Sequence, residues 1–330
     1  MRRIAPALGL FLLAPFVGEF LLGNLTLPEL GYVPLVAPMY GGGALLIREI
    51  ARRTGRGWPT IGLLAAAYAL IEEGPIDQLL WNDSYANQDL LHGDSYLPAL
   101  GMSIALTQVI LALHTVWSIC VPIAIVETFV PDRRTTPWLR TRGLVVTAVV
   151  HLLGIGVVFW ATYAEEHFLA SPAQLGGVSL VIVGLVVLAF RVGREPRAPL
   201  PGRAPAPWLV GIAALAVTSL YWGPVSLEWN EWVSVVLWCV LVVVGILLIS
   251  RWSRQDGWDA RHIFALAAGS TLTYVWTAFP VQPESGGSPT LDLIGNIVFG
   301  LVALLILLLA ARVVSRRPGR RASIPLDVPG

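Results

Sequence analysis

Arginine recurs along this chain only in every second gap between long apolar stretches, and that alternation constrains the fold more than any other feature. Apolar windows of about 20 residues, the length a helix needs to span hydrocarbon, fall at roughly 4–23, 31–51, 58–79, 100–127, 143–163, 176–191, 208–225, 232–250, 262–280 and 293–312. One set of gaps and helix ends carries Arg2 and Arg3, then Arg48, Arg52, Arg53 and Arg56, then Arg133, Arg134, Arg140 and Arg142. The same set continues with Arg191, Arg194, Arg197 and Arg203, with Arg251, Arg254 and Arg261, and with Arg312 to Arg321. The alternate gaps hold Glu29, Asp83, Asp89, Asp94, Glu165, Glu166, Glu228, Glu231 and Glu284, and no arginine. A wrong count of spans would scramble this partition, so the positive-inside rule predicts that both termini are cytoplasmic. The expected fold is all-α: a polytopic integral membrane protein of about ten transmembrane helices.

Composition agrees. The chain is 55% hydrophobic and 13% charged, against about 25% charged in soluble domains, so the lipid bilayer is its main partner. All 22 basic residues are arginine, a codon-usage trait that points to a bacterial plasma membrane. Cys120 and Cys239 both lie in apolar runs, which leaves no disulfide framework and no C-x-x-C motif. Residues 191–207 are rich in Pro and Arg and read as an extended cytoplasmic linker. It separates residues 1–190, six spans with the candidate site, from four spans over 208–312. The basic tail, 313–330, is expected on anionic headgroups. No folded basic domain accompanies it, so nucleic-acid binding is not expected. Pro34, Pro38 and Gly41 to Gly43 predict a kinked or broken second span.

Ionisable residues within the apolar windows concentrate in the first five: Glu19, Glu72, Glu73, Asp77, His114, Glu127 and His151. An acid near the centre of a membrane helix costs about 2.5–3.5 kcal/mol, so Glu72 and Glu73, followed by Gly74-Pro75, predict a helix facing a polar cavity that opens outward. At about 1.5 Å per residue, Glu19 and Glu73 lie roughly 6–10 Å below the outer surface, and His114 and His151 roughly 16–21 Å. Adjacent residues differ by about 100° around a helix, so both glutamates are not expected at one small locus. Thr107, His114 and Ser118 form one polar stripe, and Pro122 leaves the Ser118 carbonyl without its helical amide. Thr147 shares a face with His151. Glu72, Glu73, His114 and His151 are the candidate catalytic residues; Glu19, Asp77, Thr107, Ser118 and Thr147 are candidate supports. Glu127 is expected to pair with Arg133 and Arg134 at the inner interface, and Arg48 with Glu49.

A glutamate pair followed by histidines on the next two spans resembles the glutamic intramembrane proteases of the CAAX-processing and bacteriocin-processing family. Its motifs are E-E-x-x-x-R, F-x-x-x-H and a second His motif. Here they correspond to Glu72-Glu73 with Asp77 in place of Arg, Ile110 to His114 with Ile in place of Phe, and His151 with Ile155. The resemblance spans roughly 58–160 and implies a hydrolase in which a glutamate activates water. Its implied substrate is a membrane peptide or lipid, and it carries over to Glu72, Glu73, His114 and His151 only.

The chemistry also stands without the resemblance. A glutamate removed from water gains basicity and takes a proton from water near neutral pH, while imidazoles steady the developing oxyanion. Two His with a Glu would also suit Zn²⁺, although no H-E-x-x-H motif is present. Rival readings are a proton-coupled secondary transporter, a lipid- or isoprenoid-modifying membrane enzyme, and a non-catalytic partner protein.

Overall fold

The structure, a computed structural model, describes residues 4–192, 198–227, 229–281, 283, 286 and 288–316. Arg2, Arg3, Arg194, Arg197, Glu228, Glu284 and the basic tail beyond 316 therefore lie outside the described residues.

Each apolar window coincides with a helical rod. The first is α1 (Ala5–Pro15), continued by a π-helical turn, Phe16–Phe20; the second is α2 (Val33–Arg53). The third is α3 (Trp58–Ile71), again ending in a π turn, Glu72–Ile76. In the fourth, α4 (Ile104–Ala112) and α5 (Val121–Phe129) are the two ends of one rod, joined by a longer π stretch, Leu113–Cys120. Then come α6 (Thr141–Glu166), α7 (Pro172–Arg191), α8 (Pro207–Ser226), α9 (Glu231–Trp252), α10 (Ala260–Thr277) and α11 (Pro289–Ser315). Proline occupies the first turn of α2, α3, α7, α8 and α11, where its missing amide leaves no hydrogen bond unmade. Among the described residues, seven helices are long and apolar enough to cross a membrane, and Ala5–Phe20 is a shorter apolar one. The chain is a multi-pass, essentially all-helical membrane protein. A two-stranded hairpin, β1 (Tyr96–Leu97) with β2 (Met102–Ser103), interrupts the loop before α4.

The helices divide into an inner and an outer set. Faces of α6, α7, α9 and α11 expose Val146, Leu152, Leu180, Val236, Leu247, Leu301 and Leu308, an apolar surface that hydrocarbon covers. The inner helices α1, α2, α3, the fourth rod and α10 hold the core. Trp117 stacks on Tyr274 at 4.5 Å between ring centroids and donates Nε1–H to the Ser270 carbonyl at 2.8 Å, which binds the fourth rod to α10.

The second rod is not broken. α2 runs unbroken through Pro38 and the glycine triplet, and neighbouring helices fill the space that the missing side chains vacate. A Cβ at Gly41 would lie 2.0 Å from the Phe11 carbonyl oxygen, one at Gly42 2.9 Å from His151, and one at Gly43 2.5 Å from the Tyr68 ring.

Glu127 pairs differently from expectation. It receives Arg48 Nε at 3.0 Å and Arg52 Nη2 at 2.7 Å, both from α2 and not from the adjacent Arg133 and Arg134. Arg48 also meets Glu49 at 2.7 Å, lies 3.6 Å over the Trp138 ring and donates Nη2–H to the carbonyls of Arg133 and Arg134, both at 3.0 Å. Glu49 in turn accepts the Trp138 and Leu139 amides at 2.7 and 3.1 Å. The result is a buried ion network that fastens the 130–140 loop to α2.

Candidate functional site

The three π turns carry the ionisable residues. Glu19 lies in the first, Glu72 and Glu73 in the second, His114 and Ser118 in the third. Each has a proline nearby, Pro15 just before the first, Pro75 within the second and Pro122 two residues after the third, and each withholds an amide from the α ladder. The ladder re-forms one residue later, as in Leu21 N–H to Phe16 O and Asp77 N–H to Glu72 O, both 2.8 Å. Single π turns of this kind occur frequently at functional sites.

His114 stands between the two glutamates. Its Nε2 lies 2.7 Å from Glu73 Oε1 and its Nδ1 3.0 Å from Glu72 Oε2, with Ser118 Oγ 3.2 Å from the same Nδ1. The expectation that both carboxylates would not serve one locus fails for a geometric reason. An imidazole has nitrogens on opposite edges, so one ring meets two side chains that diverge around their helix. Exposure is 0% for Glu72, 6% for Glu73 and 3% for His114, so the cluster is closed and is not the outward-opening cavity that was expected.

Further polar groups surround it. Glu19 receives Asn24 Nδ2 at 3.3 Å. The Tyr40 ring lies 5.9 Å from that of His114. Gly18 brings the first π turn in close, since a Cβ there would lie 3.0 Å from Ser118 Oγ and 3.3 Å from Tyr40. Tyr68 Oη, both carboxylate oxygens of Glu72 and Glu73 Oε2 are buried with no hydrogen-bond partner among the described residues. Unsatisfied buried oxygens at one locus mark a place for protons, water or a ligand.

The remaining candidates lie elsewhere. His151 gives Nδ1 to the Pro38 carbonyl at 3.2 Å and stacks on Tyr68 at 6.2 Å, while Tyr68 presents its ring to His114 at 6.4 Å. A tyrosine thus stands between the two histidines. Asp77 accepts from Thr162 Oγ1 at 3.4 Å. Thr107 and Thr147 donate to carbonyls of their own segments, Ser103 at 2.7 Å and Gly143 at 2.9 Å. The tyrosines and Asn24 were missed as site residues. The available signals were Tyr68 one turn before Glu72 and Tyr40 directly before the glycine triplet.

The two ring nitrogens are engaged differently. Nε2 is hydrogen-bonded to Glu73 Oε1 and Nδ1 to Ser118 Oγ, while Glu72 Oε2 approaches Nδ1 to 3.0 Å without a hydrogen bond. One N–H on the ring serves Glu73 or Ser118, and a charge on the ring is felt by both carboxylates. Both nitrogens face carboxylates, which directs their lone pairs away from any common vacancy. Among the described residues no three His, Cys, Asp or Glu side chains converge where a metal ion would bind.

Neither the curated proteins nor the solved structures contain a match to this chain. A family model described as "Uncharacterized membrane protein family" does match, over residues 8–223, which include the whole Glu72–His114–Glu73 cluster and all of α2 to α7. With well over half of its length matched, the chain belongs to that membrane protein family.

Proposed function

We propose that this protein is a proton-coupled secondary transporter of a bacterial plasma membrane, with ten spans and both termini cytoplasmic. The segregation of arginine and the match of every apolar window to a helix support that topology. In this arrangement residues 1–190 supply the proton site, 191–207 a cytoplasmic link, 208–312 four supporting spans and 313–330 a lipid-facing tail. The observation that carries the reading is one buried imidazole hydrogen-bonded to the buried Glu73 carboxylate at 2.7 Å, with the buried Glu72 carboxylate 3.0 Å from its other nitrogen. Such a ring accepts a proton at one nitrogen and releases one at the other, so Glu73, His114 and Glu72 form a two-ended carrier.

A pH jump on the reconstituted protein in a supported membrane tests this without knowledge of the cargo. Wild type should give a transient charge displacement that disappears in Glu73→Gln and in His114→Gln. Currents of wild-type size in both variants overturn the reading.

One observation favours a second reading. Glu73 is oriented by His114 through Oε1 while its buried Oε2 makes no hydrogen bond, the posture of a general base awaiting water. In a hydrolase that resembles the glutamic intramembrane proteases, or in a lipid-modifying enzyme, Glu73→Gln would lower turnover of a membrane peptide or lipid by about 10²–10⁴-fold. Cleavage by wild type with no charge displacement would establish this reading in place of transport.

A further inference from the structure

Behind α9 the chain builds a second polar feature, remote from the acid cluster in sequence. Residues 198–204 are zipped onto the end of α9. Leu200 N–H donates to Arg254 O at 2.9 Å, Ala204 N–H to Asp256 O at 2.9 Å and Asp256 N–H to Gly202 O at 3.0 Å. Gly202, at φ 103°, supplies the turn that lets the strap double back. Between strap and helix runs a groove of about 480 Å³ lined by Leu200, Pro201, Leu247, Ser250, Arg251 and Arg254.

The two ends of this groove differ in chemistry. One end is apolar and continuous with the outward face of α9, where Val236, Val240, Val243 and Leu247 are exposed. The other carries two guanidinium groups. Arg254 donates Nε–H to the Ala198 carbonyl at 2.8 Å, which fixes its plane, and Arg251 is exposed beside it. A fixed guanidinium next to a second one at the end of an apolar helix suits a phosphodiester whose acyl chains continue along that helix.

We infer that this groove binds the headgroup phosphate of an anionic phospholipid, with an acyl chain laid along Leu247 and the α9 face. The lipid, and not free phosphate, is the occupant because the apolar wall leads directly from the arginines onto a surface that hydrocarbon must cover. Two arginines at the strength of basic side chains at an anionic surface give a preference on the order of thirtyfold over a zwitterionic lipid.

The test uses the full chain in nanodiscs of phosphatidylcholine and phosphatidylglycerol, with retained lipids counted by native mass spectrometry. Arg251→Gln/Arg254→Gln should lose one bound phosphatidylglycerol relative to wild type. Arg140→Gln/Arg142→Gln, which removes the same charge from another exposed site, should lose none. Equal losses in both double variants, or no loss in either, overturn the assignment, because they leave only general charge attraction or no site. Displacement of the lipid by inorganic phosphate alone would also overturn it. Arg254 also holds the strap through the Ala198 carbonyl, so Arg251→Gln/Arg254→Gln should melt below wild type; Arg251→Gln alone keeps that bond, should melt with wild type and should still lose the bound phosphatidylglycerol, and its retention of the lipid overturns the assignment.

Discussion

Three consecutive glycines in α2 each serve a different neighbour, and substitutions there should separate stability from chemistry. Gly41→Ala drives a methyl group into the backbone carbonyl of Phe11, a distance of 2.0 Å that flexible side-chain motion does not relieve. Overpacking of this kind costs typically about 1–3 kcal/mol, so the variant should unfold at lower temperature by differential scanning. Gly43→Ala meets the Tyr68 ring instead, at 2.5 Å, and should disturb the pH-jump response more than the melting temperature. Arg48 and Glu127 define another residue-scale test. Glu127→Gln leaves the buried Arg52 guanidinium without a carboxylate and Arg48 with Glu49 alone, and removal of one partner from a buried pair costs about 3–5 kcal/mol. A melting temperature unchanged by Glu127→Gln would show that the network is dispensable. The sequence allowed a charged pair at this membrane face to be foreseen, but not its partners. Arg48 and Glu127 are 79 residues apart, and only the packing of α2 on α5 brings them together.

At the scale of the element, the π turns explain how acids enter an apolar helix without unravelling it. Pro75→Ala restores an amide and allows Glu72–Ile76 to tighten toward α geometry, which would swing Glu73 away from His114. The expected result is a folded protein with a weakened charge displacement; a wild-type response would mean that the π turn does not position the acid. The start of α10 offers a simpler test. Partial burial pushes the Asp259 carboxyl up, but hydrogen bonds and charge from Arg261 outweigh this and hold it below its ordinary value. Its carboxylate caps α10 through the Arg261 amide at 2.9 Å, and replacing such a cap by Ala costs about 1 kcal/mol. A depressed carboxyl pKa stabilises the fold above the unfolded-state value and loses that effect as pH falls through the folded-state one. Wild type and Asp259→Ala should therefore differ at neutral pH and converge in acid. Element positions were legible from apolar windows alone because a helix in lipid must satisfy every backbone group internally. Their local departures from α geometry were not legible. Proline marks where an amide is missing, but whether the helix kinks, breaks or winds into a π turn depends on what packs against it. The same holds for the fourfold site proposed from sequence: spacing placed His114 and His151 at similar depth, while the ring of Tyr68 keeps them apart.

Across the whole molecule, polarity is sorted by radius more than by chain position. The acid cluster draws on the third and fourth rods, with Gly18 of the first and Tyr40 of α2 packed against it. The ion network of Arg48 and Glu127 lies toward the arginine-bearing ends of α2 and α5, and the outward faces are left to Val, Leu and Ile. The π turns have a consequence for chain length. Each contains one residue more than an α turn would, so each is a local surplus of backbone. Deleting a single residue within 16–20, 72–76 or 113–120 would close that surplus and rotate everything beyond it by about 100° about the helix axis. A relative aligned with a one-residue gap opposite any of these segments should therefore keep the bundle and lose the juxtaposition of His114 with Glu72 and Glu73, which gives a criterion for sorting family members from length alone.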